Sequence, residues 1–257
     1  YNEWETVVNN LYLPQFPTRY KDKMYINGRN VYEGYQRGWG LRYGDLVEKV
    51  GKDKLYEKSV SKVRNVCILS EAKLMNIFLI LNFFLKNIDK GDIIEFGSYK
   101  GGTAMFMAYV VKELGMDITV HGLDTFEGMP ATNTSLDLHN KNDFDSANFE
   151  QTMLIRDELG LDNLYFYKGM FQHTAETILN NCSKIALAHI DCDIYESVSY
   201  SYNIVNKYMV DGGYIVFDDV NEPSCIGATQ AFEEYVYHRD KIFSEQVFPH
   251  LVIRKSK

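Results

Sequence analysis

From Asp92 onward, short apolar runs alternate with helical patterns, and that alternation restricts the chain to a mostly parallel sheet with helices on both faces. Strands are expected at 92–96, 117–123, 164–168, 185–191 and 214–217. Helices are expected between them at 102–114, 146–159, 173–179, 196–208 and 227–239. Gly115, Gly160 and Gly212 stand where helix stops belong. Residues 243–254 read as two short extended pieces joined at Pro249, with an antiparallel last strand as the expected close of the sheet.

The first ninety residues follow other patterns. Residues 1–35 are aromatic and polar with weak periodicity. Residues 70–85 predict a helix with Leu74, Ile77, Phe78, Leu81 and Leu85 on one stripe and a capped start at Ser70. This divides the chain into an N-terminal extension, 1–69, and a catalytic domain, 70–257. The extension is expected to be helical and to serve as a substrate lid or a dimer contact, so a homodimer is the expected assembly. Residues 131–145, rich in Asn and Asp, predict a mobile loop at a ligand rim.

Composition removes several function classes. With 257 residues, 46% of them hydrophobic, the chain can bury one sizeable α/β core. A net charge of −8 lacks the basic face that nucleic acid requires. The stretch 77–85 is too short to span a bilayer, no secretory signal is visible, and a soluble cytoplasmic protein is expected. Cys67, Cys182, Cys192 and Cys225 form no CxxC pair, so reduced core thiols are favoured over zinc or redox chemistry.

The candidate chemistry lies where strands end. Asp191 closes one apolar run, and Asp218 with Asp219 closes another. Ligands of open parallel sheets bind outside the carboxyl ends of the strands. If the two strands are neighbours, three carboxylates converge there, and an all-oxygen set suits Mg²⁺. Upstream, 95–102 is a glycine-rich turn between strand and helix, where backbone N–H groups can approach a ligand. Tyr99 occupies the position of the middle glycine of a dinucleotide fingerprint, which speaks against NAD. Asp124 lies one βαβ unit further on, where a carboxylate accepts hydrogen bonds from ribose hydroxyls; a turn-capping role is its alternative.

Four motifs then occur in order: Glu95-Phe96-Gly97-Ser98-Tyr99-Lys100-Gly101-Gly102, Asp124-Thr125-Phe126-Glu127-Gly128-Met129-Pro130, Asp191-Cys192-Asp193-Ile194-Tyr195-Glu196-Ser197, and Gly212-Gly213-Tyr214-Ile215-Val216-Phe217-Asp218-Asp219. Together, over about residues 70–239, they resemble the macrocin O-methyltransferase family, S-adenosylmethionine-dependent enzymes that methylate sugar hydroxyls in macrolide pathways. Tyr99-Lys100 stands where that family's pattern has Trp-Arg. The resemblance implies a Rossmann-like class I methyltransferase sheet. It implies S-adenosylmethionine at Glu95, Gly97, Tyr99 and Gly101 with its ribose on Asp124, and Mg²⁺ on Asp191, Asp218 and Asp219. It makes Asp191 the candidate general base.

A metal-bound carboxylate is a weakened base, so Asp193 and His139 stand as rivals to Asp191. His189, inside a strand, reads as a satisfied core residue. The expected substrate is a small sugar-containing molecule: a glycoside, a nucleotide sugar or a surface glycan. A catechol-type O-methyltransferase, a nicotinamide-dependent oxidoreductase and a non-catalytic scaffold are the alternatives. Because three carboxylates repel, Asp218→Asn is expected to leave the metal-free fold standing or to stabilise it.

Overall fold

The computed structural model describes residues 25–26, 29–30, 41–42, 46–88, 90–182 and 184–255. Much of the N-terminal segment, and with it the expected lid or dimer contact, lies outside the described residues. A two-residue hairpin pairs Tyr25–Ile26 with Arg29–Asn30.

Six strands form the main sheet: β1 (Asp92–Phe96), β2 (Val120–Asp124), β3 (Leu164–Lys168), β4 (Ile185–Ile190), β5 (Met209–Phe217) and β6 (Leu251–Arg254). Their order is 3-2-1-4-5-6, and every pair is parallel except β5 with β6. The expected antiparallel last strand is present. β4 is buried on both faces and reads as an apolar run interrupted only by His189, as suits an interior parallel strand. β3, at the edge, alternates buried and exposed positions.

Because side chains alternate along a strand, each strand supplies two cores. Ile93, Leu187, Val216 and Val252 pack with α2 (Lys54–Val63), α3 (Glu71–Leu79) and α4 (Gly102–Glu113). Ile94, Ala188, Ile215 and Ile253 pack on the other face with α6 (Phe171–Asn181), α7 (Tyr195–Val205) and α8 (Ile226–Ala231). A short α1 (Leu46–Gly51) precedes α2, and α5 (Phe149–Glu158) packs along the first core. The predicted stripe of α3 is buried throughout, and the helix continues through a wide turn at Ile80–Phe84 and a tight one at Leu85–Asn87. Ser70 sits at the N-cap, but its side chain makes no capping hydrogen bond.

Some boundaries differ from the sequence reading. β2 begins at Val120 rather than 117. α4 and α5 do stop at left-handed Gly115 and Gly160. Gly212, read as a helix stop, lies within β5, beside a shift in the β4–β5 register. α7 has already ended at Val205. No helix among the described residues is long and apolar enough to cross a membrane.

β1 and β4 are neighbours, and chain order reverses between them. Connections leaving their carboxyl ends diverge there and open a crevice. The glycine-rich turn follows β1, and Asp191 follows β4.

Candidate active site

The turn after β1 is shaped by one close approach. Gly97 has φ +91°, and a Cβ there would lie 1.6 Å from the carbonyl oxygen of Asp191, so only glycine lets the ends of β1 and β4 meet. Tyr99 also takes a left-handed backbone, φ 50°, and turns its ring against Phe144 of the polar loop. Its N–H donates to Asp124 Oδ2 at 2.8 Å, while Phe126 N–H donates to Asp124 Oδ1 at 2.6 Å. Two backbone amides thus fix the Asp124 carboxylate at the end of β2, and burial pushes it above the ordinary carboxylate range.

Asp191, Asp218 and Asp219 each bring one carboxylate oxygen within 4.8 Å of the others, at the adjacent ends of β4 and β5. Their surroundings differ. Asp218 Oδ2 accepts from Lys73 Nζ at 2.6 Å, and Oδ1 lies 2.9 Å from His250 Nε2. Burial opposes its charge, yet the adjoining His189 and His250 rings hold its carboxyl well below the ordinary range. Asp191 and Asp219 are pushed well above it, by burial first and then by neighbouring carboxylates. Asp219 Oδ2 accepts the Asp193 N–H at 2.9 Å. The Asp191 side chain accepts no hydrogen bond from the described residues.

Beneath this cluster, His189 Nδ1 lies 3.1 Å from Glu95 Oε1. Burial opposes protonation of this ring, but Asp218 and Glu95 push it up to about 9. His189 is therefore buried, as expected, but not fully satisfied: Nε2 has no hydrogen-bond partner among the described residues, and its 3.7 Å to Asp218 Oδ1 is an ion-pair separation only.

The three candidate bases fall in one neighbourhood. Asp193, at φ 59°, has its Oδ1 3.8 Å from His139 Nε2, and the Cys225 thiol donates to the same oxygen at 3.5 Å. His139 Nδ1 contacts Asp143 Oδ2 at 3.3 Å. The loop that carries His139 was expected to be mobile. It is tied down where Asp137, itself buried, accepts the N–H of Tyr195 at 2.8 Å at the start of α7.

A cavity of about 360 Å³ joins these parts. Gly97, Tyr99, Asp124, Asp191, Asp193, Asp218 and Asp219 line it. Glu95, Gly101 and His139 do not reach its wall. Glu95 lies under His189, and Gly101 backs onto Phe166 and Thr152.

Several residues here escaped the sequence reading. Lys73 bridges Asp218 and Glu222, the latter at 2.8 Å. One turn along α3, Asn76 reaches His250 Nδ1 at 2.9 Å and accepts from Gln246 at 2.9 Å. The stretch from Val66 to Ser70 lines the cavity and presses on the turn, since a Cβ on Gly102 would meet Cys67 Cα at 2.3 Å. The available signal was Asn76, a polar residue within the apolar stretch of a helix, three residues beyond Lys73 in its polar start.

The residues fit the two groups expected of them. Ser98 Oγ, in a residue on the cavity wall, is buried with no hydrogen-bond partner among the described residues, which suits a polar ligand there. The carboxylate rim has an all-oxygen donor set and two aspartates whose ionisation is disfavoured until a cation compensates them.

Residues 65–243, more than two-thirds of the chain, match the sequence model of the family described as Macrocin-O-methyltransferase (TylF). Among curated proteins, the chain is 28% identical over 152 residues to the 8-demethyl-8-(2,3-dimethoxy-alpha-L-rhamnosyl)-tetracenomycin-C 4'-O-methyltransferase of Streptomyces olivaceus, covering 55% of this chain and 58% of that protein. It is 25% identical over 156 residues to the mycinamicin III 3''-O-methyltransferase of Micromonospora griseorubida, covering 56% and 61%. The chain thus spans about 60% of the length of these relatives. The solved structure of the O-methyltransferase NovP shares the fold, with a TM-score of 0.60 at 21% identity over 82% of this chain and 95% of that one. On the match over residues 65–243, the chain belongs to the macrocin-O-methyltransferase family.

Proposed function

We propose that this protein is a Mg²⁺- and S-adenosylmethionine-dependent O-methyltransferase acting on a hydroxyl of a sugar-containing small molecule. One observation carries the reading: a single cavity holds the glycine turn with Asp124 on one side and the Asp191, Asp218 and Asp219 carboxylates on the other. The name of the tetracenomycin relative, which specifies O-methylation of a rhamnosyl-bearing natural product, supports the substrate class. Four free thiols among the described residues suit a cytoplasmic setting. The same reading takes the protein as a homodimer, on the strength of its aromatic N-terminal segment.

S-adenosylmethionine would supply an electrophilic methyl group, held by the Gly97–Gly102 turn and by Asp124. Mg²⁺ on Asp191, Asp218 and Asp219 would lower the pKa of the substrate hydroxyl and fix its direction. The chain's own residues do the rest. Asp124, clamped by two amides, presents its remaining lone pairs to the ribose. Lys73 and His250 hold Asp218 ionised and in place. Methyl transfer is an in-line displacement, so a fixed rim aligns the incoming oxygen.

Asp193 is the base this geometry favours. It lines the cavity, it is not one of the three clustered ligands, and burial raises its proton affinity first among the influences on it. His139, 3.8 Å away and off the wall, steadies it rather than replaces it. Asp191 keeps the ligand role.

The test is methyl transfer from labelled S-adenosylmethionine to a panel of nucleotide sugars and small glycosides, with a catechol for comparison. Activity should appear with sugar acceptors, vanish in EDTA and return with Mg²⁺. Undiminished turnover on verified metal-free protein would remove the metal from the mechanism, and transfer to the catechol alone would replace the substrate class.

A further inference from the structure

At the opposite end of the sheet, where strands begin, three side chains from distant parts of the sequence meet. Asp92 opens β1, His121 is the second residue of β2, and Cys182 follows α6. His121 Nε2 lies 3.5 Å from Asp92 Oδ2 and 3.4 Å from Cys182 Sγ. All three ligand atoms lie within 4.8 Å of one another.

His121 Nε2 faces both neighbours at once, and the Cys182 thiol is itself a donor that the ring nitrogen or the Asp92 carboxylate can accept. The other nitrogen, Nδ1, contacts the Tyr167 hydroxyl at 3.1 Å. With the proton on Nδ1 and given to Tyr167, Nε2 turns a lone pair toward Asp92 and Cys182. Asp92 is aimed as well: Thr119 N–H donates to Oδ1 at 3.2 Å, which leaves Oδ2 facing the ring. His121 is buried, and the trio lines a cavity of about 490 Å³ that Thr174 and Asn181 also line.

We propose that Asp92, His121 and Cys182 form a second metal site, one that binds a divalent transition ion of the zinc class. Zinc holds a thiolate at about 2.3 Å and an imidazole or carboxylate at about 2.0–2.1 Å. At tetrahedral angles those bonds put sulfur and nitrogen about 3.5 Å apart, and nitrogen and oxygen about 3.4 Å apart. The observed 3.4 and 3.5 Å separations are within a tenth of an ångström of these. Thiolate and imidazole favour zinc over Mg²⁺, the reverse of the all-carboxylate rim. Tyr167 orients the imidazole from its far nitrogen, as the outer partners of metal-bound histidines do. The fourth position opens into the cavity, where water or an exogenous ligand completes the set.

Binding breaks no bond except the S–H of Cys182, whose proton leaves to solvent as sulfur joins the metal. In the metal-free site, burial first and then the Asp92 charge push that thiol up to about 12, so the ion has a proton to displace. An ion here would tie the starts of β1 and β2 to the end of α6.

The test uses the full chain, reduced and stripped with a chelator, and Co²⁺ as a spectroscopic stand-in for zinc. One equivalent of Co²⁺ should give a thiolate-to-cobalt charge-transfer band. The band should disappear in Cys182→Ser and persist in Cys225→Ser and Asp219→Asn, which separates this site from the His139, Asp193 and Cys225 group and from the carboxylate rim. Tyr167→Phe should weaken Zn²⁺ binding about 10- to 100-fold. No charge-transfer band from folded wild-type chain, or a band that survives Cys182→Ser, overturns the site.

Discussion

Asp218 and Asp219 are adjacent in sequence and face opposite electrostatic surroundings. Asp218 has Lys73 and His250 in direct contact and is held toward its ionised form; Asp219 is pushed toward protonation by burial first and then by neighbouring carboxylates. This changes the expectation drawn from the sequence, where repulsion was shared among equals and Asp218→Asn was to be harmless. In metal-free protein, Asp218→Asn should lose about 2–3 kcal/mol, because charge-assisted hydrogen bonds to a buried carboxylate are weakened and Lys73 keeps only the more exposed Glu222 as its counter-ion. Asp219→Asn should instead hold or raise stability, since an amide oxygen still accepts the Asp193 N–H while the repulsion goes. Urea unfolding in EDTA measures both, and equal losses would mean the two carboxylates share one environment after all. The clustered aspartates were legible because each ends an apolar strand. Lys73 and His250 were not, because one sits in a polar helix start and the other in a segment without periodicity, 32 residues beyond Asp218.

Strands and helices from β1 onward were legible because interior parallel strands are largely apolar runs and helix-length segments lie between them, two of them closed by Gly115 and Gly160. α2 was not, and the reason is visible in its buried positions, Tyr56, Ser59 and Val63. A serine in a buried stripe, satisfied by its own helix through Leu55 O at 2.7 Å, breaks the hydropathy pattern without breaking the helix. The turn joining β1 to α4 was legible as glycine-rich, but which glycine matters depends on β4, which joins it only in the fold. Gly97→Ala should cost at least about 3 kcal/mol, from positive φ together with direct overlap on Asp191. Gly160→Ala, also at positive φ but with open space around its Cβ, should cost about 1–2 kcal/mol. Equal losses in urea unfolding would show that backbone conformation, not the approach of β4, requires the glycine at position 97.

At the scale of the molecule, one sheet separates two kinds of chemistry: carboxylates and a glycine turn where strands end, and a thiol, an imidazole and a carboxylate where they begin. The first end was readable because its motifs are contiguous. The second was not, because its members are separated by 29 and 61 residues and sulfur spacing along the chain gives no signal. Within the first end, cofactor and Mg²⁺ are assigned to different walls of one cavity, and that division makes a thermodynamic prediction. A ligand that binds only the native state stabilises it by mass action, by about 2.7 kcal/mol at a hundredfold excess over Kd. For a chain of this size that corresponds to a rise in Tm of roughly 5–10 °C. S-adenosylhomocysteine should produce such a rise and NAD should not, because Tyr99 occupies the place a pyrophosphate needs. Mg²⁺ should add its own increment. Asp124→Asn should diminish the S-adenosylhomocysteine shift and leave the Mg²⁺ shift intact, while Asp191→Asn should do the reverse. A shift with NAD and none with S-adenosylhomocysteine would remove the methyltransferase reading; loss of both shifts in either variant would mean that the two walls form a single, inseparable site.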